Sequence, residues 1–105
     1  MDISGTLESL TESQRKACYR RLWLELTLAS RSVWSDPSIT DDEKLLALKW
    51  LNEIQHRVWH AHAGSPGYSH VEFARIISSH LLHSQAVATW FSASFRGAVA
   101  HAICA

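Results

Sequence analysis

Apolar residues return every three or four positions in three long runs of the chain. The first reads Cys18, Leu22, Leu26, Ala29 and Val33, widened by Tyr19 and Trp23, with Arg15, Arg20, Arg21, Glu25 and Arg31 on the opposite side. The second reads Ala47, Trp50, Leu51, Ile54, Val58 and Ala61, with Leu48 and Trp59 at its margin. The third reads Phe73, Ile76, Ile77, Leu81, Ala88, Phe91, Phe95, Val99 and Ala102. This is the spacing of one face of an α-helix, and no stretch alternates with period two for long enough to form a strand. Each run opens on a capping box, a hydroxyl followed three residues later by Glu or Gln: Thr11 with Gln14, Thr40 with Glu43, Ser69 with Glu72. SDPSI (35–39) and AGSPGY (63–68) separate the runs with proline and glycine. The pattern predicts helices over 12–34, 41–62 and 70–102. The fold class is all-α, a three-helix antiparallel bundle in a single domain spanning 1–105.

A third helix longer than its neighbours overhangs the hairpin they form. Trp90, Phe91 and Phe95 fall on the overhang and need cover, which predicts packing as a homodimer. The composition agrees: 47% of residues are hydrophobic, five are tryptophan and only 19% are charged, so part of the surface is expected to be covered. Trp34 and Trp59 stand near helix ends among polar neighbours, in SVWSD and RVWHAH. With Trp90, Phe91 and Phe95 they make the expected interface set, since aromatic side chains are favoured interface anchors.

Ten basic residues balance ten acidic ones. That excludes a binder relying on a broad basic face, so nucleic acid is not an expected partner. The one basic cluster, RKACYRR (15–21), reads as a solvated helix face. The two cysteines, Cys18 and Cys104, lie far apart in no metal-like spacing, and no signal peptide opens the sequence, which predicts a cytoplasmic protein with free thiols. The segment 86–105 has the length of a membrane span, but Arg96, His101 and several serines interrupt it, so no membrane partner is expected.

Candidate chemistry is confined to histidines. On a wheel of about 100° per residue, Lys49, Glu53, His56 and His60 share the polar arc of the second helix. Glu53, His56 and His60 are the residues of that arc able to ligate a metal. Three features oppose it: the Glu53–His56 pair faces outward, no matching ligands stand on the other helices, and Lys49 adds a repelling charge; His56 and His60, at i,i+4, offer a weak zinc pair, within one chain or across a dimer. In the third helix, RIISSH (75–80) has an R-x4-H spacing that resembles the motif of HEPN-type ribonucleases, helical bundles that act as dimers. The resemblance covers six residues. It implies that Arg75 orients phosphate and His80 serves in acid–base chemistry, although Ile76 stands where that family has a polar residue. On a regular helix Arg75 and His80 diverge by roughly 140°. The sequence carries no glycine-rich phosphate loop and no G-x-S-x-G.

The reading that follows is a small non-catalytic helical module of a kind common in bacteria, an inhibitor, immunity or antitoxin-like protein or adaptor, acting by binding a partner protein and needing no cofactor. The alternatives are a dimeric ribonuclease using Arg75 and His80, and a metal-binding helical protein using Glu53, His56 and His60.

Overall fold

A computed structural model of the chain describes residues 1–104; Ala105, the last residue of the expected domain, lies outside them. Every regular element among the described residues is a helix: α1 (Ile3–Glu8), α2 (Glu12–Ser35), α3 (Asp41–Ala63), α4 (His70–Leu81) and α5 (Gln85–Cys104).

The helix starts lie where the capping residues put them. At α2 the box is complete: Gln14 N–H donates to Thr11 Oγ1 at 3.1 Å and Thr11 N–H donates to Gln14 Oε1 at 2.9 Å. At α3 and α4 only half of each box forms. Thr40 and Ser69 accept from the N–H groups of Glu43 and Glu72, both at 3.2 Å, but neither glutamate reaches back to the cap backbone. Glu43 accepts instead from the Thr40 hydroxyl, and Glu72 pairs with Arg75. Helix α3 ends in a Schellman arrangement, with Ser65 N–H on His60 O and Gly64 N–H on Ala61 O. Gly64 has φ +71°, a left-handed conformation that other residues adopt at a cost.

Two features correct the expected three-helix layout. The first is α1, which the sequence reading left outside any element. Asp2 caps it through Gly5 N–H at 2.9 Å, and Ile3, Leu7 and Leu10 are buried. Arg15 donates to the carbonyls of Leu7 and Leu10, at 3.1 and 2.8 Å. Arg15 is therefore the clasp between α1 and α2, not part of a solvated cluster. Glu8 pairs with His70 and ties α1 to α4.

The second correction is larger. The expected helix over 70–102 is two helices, broken at Leu82–Ser84. The last turn of α4 tightens, with Leu82 N–H on Ser79 O and His83 N–H on His80 O. Ser84 then starts α5 by accepting from Val87 N–H at 3.2 Å. The break lets α5 lie along α2 and α3, so no overhang exists. Phe91 and Phe95, expected at a dimer interface, are buried inside the chain's own core, at 0% and 2% exposure. Trp90 is half-buried against the same core.

Helix α2 is the hub, packing on α5 and α3. Its Leu22, Leu26 and Val33 meet Leu51, Ile54 and Val58 of α3, Phe73 and Ile77 of α4, and Phe91 and Phe95 of α5 in one buried cluster. Tyr19 stands edge-on to Phe73 at 5.1 Å. Burial pushes the Cys18 thiol up to about 11 and the Tyr19 phenol up to about 12. Both groups lose protons more readily in the unfolded chain. Their stabilising contribution is intact below about pH 9 and is lost as pH rises through the folded-state values. Exposed Cys104 contrasts with fully buried Cys18. A thiol reagent at neutral pH is expected to modify Cys104 rapidly and Cys18 only on unfolding; peptide mass mapping checks this, and equal rates would contradict the packing of Cys18.

Candidate functional site

The core face of α2 is filled by Cys18, Tyr19, Leu22, Leu26 and Val33. Its outer face is also apolar in part, which is unusual for a helix already buried on one side. Trp23, Leu24, Leu28 and Trp34 are 40%, 42%, 45% and 62% exposed. Trp59 of α3, at 55%, joins them through Trp23, whose ring lies 6.4 Å from its own. Two surface depressions follow the α2–α3 seam. Trp23, Asn52, Glu53, Gln55, His56 and Trp59 line one. Thr27, Ser30, Arg31, Trp34, Ser35 and Leu48 line the other.

The seam has aromatic ends and a polar middle. Gln55 bridges the helices there, donating to Trp23 O at 2.8 Å and to Thr27 Oγ1 at 2.6 Å. From Trp23 to Trp34 the helix rises about 16 Å, three turns, at about 1.5 Å per residue. Charges of both signs surround the seam, and Glu53 lines one depression. Exposed Lys16, Arg20 and Arg31 make no ion pair among the described residues, and Arg21, also on α2, is matched by Glu25 at 2.8 Å.

The histidines of α3 are brought together only in part. His56 and His60 meet, Nε2 to Nε2, at 3.2 Å. His60 Nδ1 is 3.1 Å from Ser65 Oγ, and its ring stacks on Tyr68. Glu53 lies toward Arg57, 3.9 Å from its Nη2. Among the described residues no group of three or more His, Cys, Asp and Glu side chains is placed to hold a metal ion. Lys49 does not crowd the pair, because its Nζ lies over the Trp50 ring at 5.6 Å.

Arg75 and His80 sit in different surroundings. The Arg75 side chain is 71% exposed and pairs with Glu72. His80 is half-buried, edge-on to Trp50 at 5.5 Å. Its Nδ1–H donates to Ile76 O at 2.8 Å. His83 stacks flat on the same indole at 4.2 Å, so Trp50 holds the α4–α5 break between two imidazoles. Between the start of α3 and the start of α5 lies an apolar cavity of about 170 Å³, lined by Val33, Leu51, Val87 and Trp90, with Glu43 and Ser84 as its polar members.

No protein-family model matches the chain, and no curated protein and no solved structure matches it. No helix among the described residues is long and apolar enough to cross a membrane.

Of the expected interface residues, Trp34 and Trp59 stand on the exposed seam, Trp90 at the cavity, and Phe91 and Phe95 in the core. Trp23, Leu24 and Leu28 were missed. The signal was present: they follow one another at i, i+1 and i+5 on the arc carrying Arg20 and Arg31, where a solvated face has no need of large apolar residues.

Proposed function

We propose that the chain is a non-catalytic interaction module that grips an amphipathic helix of a partner protein along the α2–α3 seam. The observation that carries this reading is the placement of Trp23, Trp34 and Trp59. Three large aromatic side chains stay exposed along one seam while the core closes without them. Tryptophan and arginine dominate the binding energy of protein interfaces because they bury large area and donate hydrogen bonds. A helix laid in a groove presents apolar anchors on successive turns, and aromatic ends about 16 Å apart suit anchors about 11 residues apart on such a helix. Lys16, Arg20 and Arg31 favour a partner with acidic residues beside its apolar stripe.

A second copy is a weaker occupant. The expectation of a homodimer rested on an overhang bearing Trp90, Phe91 and Phe95; the two phenylalanines are buried in the protomer and Trp90 is half-buried against its core. A self-pairing of α2 faces also sets Arg20 and Arg31 against their own copies.

Hydroxyl-radical footprinting of the protein alone and bound to its partner tests the seam. Trp23, Trp34 and Trp59 are expected to oxidise in the free protein and to be protected in the complex. Protection confined to exposed apolar residues of other faces, such as Val71, Leu82 and Ile103, would overturn the assignment.

A further inference from the structure

We propose that His56 and His60 form a chelating site for a borderline divalent transition metal, zinc in particular, with water in the remaining coordination positions. The inference does not depend on the docking seam. It starts from the bite of the pair. The two Nε2 atoms are 3.2 Å apart on consecutive turns of α3. Two imidazole nitrogens on one tetrahedral zinc, with bonds of about 2.0–2.1 Å, stand about 3.3 Å from each other. Ligands at right angles on a square-planar or octahedral ion would stand about 2.9 Å apart at the same bond length, so the observed bite favours the tetrahedral ion. Little backbone or rotamer movement separates the present geometry from a chelated one.

The surroundings support the pair in the way ligands are usually supported. A ligating imidazole is held in the right tautomer by a partner on its other nitrogen. Ser65 Oγ occupies that position on His60, 3.1 Å from Nδ1. When it accepts from Nδ1–H, the Nε2 lone pair of His60 is directed at His56. The Tyr68 ring, 5.2 Å away and nearly parallel, fixes the plane of His60. Ser65 and Tyr68 lie in the 63–68 turn, whose path is set by the Gly64 cap of α3, so the site is built from two elements rather than from a helix surface alone.

The nearby cations are turned away. Arg57 donates through Nη1 to the Tyr68 hydroxyl at 2.7 Å, and its Nη2 faces Glu53. Lys49 lies over Trp50. His56 is exposed, which leaves the metal open to water. The metal needs both Nε2 lone pairs, so in the bound state each ring carries its proton on Nδ1, and the two nitrogens displace water from the metal.

Isothermal titration of untagged protein with zinc at neutral pH is the test, with magnesium as the control and with His56→Ala and His60→Ala alongside. Both side chains reach the surface, so circular dichroism is expected to show unchanged helicity in the variants. The expected result is one zinc per chain for the parent protein, no magnesium uptake, and loss of the zinc site in each variant alone, because a chelate needs both rings. No uptake by the parent would overturn the proposal. So would uptake that persists equally in both variants, which would place the zinc on His62, His83 or His101 instead.

Discussion

Phe91→Ala is expected to cost about 3–5 kcal/mol of stability, the range for emptying a buried phenylalanine site. Phe91 is 0% exposed and stacks on Phe95, with ring centroids 5.7 Å apart. Domains of this size are stable by only about 5–15 kcal/mol, so the variant should melt at least about 12 °C lower or fail to accumulate. Thermal denaturation followed by circular dichroism reads this directly. The outcome also separates two architectures. On an overhanging helix Phe91 would serve a subunit contact, and its removal would split a dimer while leaving the monomer's melting point nearly unchanged. A Phe91→Ala protein that melts within a degree or two of the parent would contradict the folded-back α5.

The second large effect concerns the seam. Trp59→Ala and Trp34→Ala are each expected to weaken partner binding by about 2 kcal/mol or more, roughly 30-fold, the range of interface anchor residues. Their melting temperatures should barely move, since both rings are more than half exposed and neither belongs to the buried cluster. The split between affinity and stability is the informative part. A tryptophan that merely closed the end of the bundle would give the reverse, a lower melting point with affinity intact.

The sequence was most legible where local chemistry and periodicity agreed. Helices α2 and α3 follow from apolar stripes opened by Thr11 and Thr40, and α3 stops at a glycine that must be left-handed. The break at Leu82–Ser84 was illegible for a physical reason. HLLHS holds no glycine or proline, and Ser84 caps α5 without a Glu or Gln three residues on, so the local signal is one hydroxyl in a helix-compatible run. What decides the break is tertiary: Trp50 clamps His80 and His83, and α2 offers Phe91 and Phe95 a deeper burial than a continued helix could. The misplacement of those two rings followed from that single miss. Buried positions on α5 shifted with it, to Val87 and Ala98 in place of Ala88 and Val99.

The candidate site was legible in half. Trp34 and Trp59 stood out because polar neighbours surround them. Trp23 did not, because its place beside the apolar stripe of α2 fits a core margin as well as an exposed shelf, and only the position of α3 distinguishes the two. The histidine arc was legible as a spacing. That His56 and His60 meet edge to edge while Glu53 lies toward Arg57 depends on rotamers, which spacing does not fix.

The most direct test of the docking account is native mass spectrometry of the untagged protein purified from its own host, beside the Trp34→Ala/Trp59→Ala double variant. The account predicts a stoichiometric heteromeric mass for the parent and a bare monomer for the variant. A bare monomer or homodimer from the parent, or the same heteromer in equal yield from both, would contradict it.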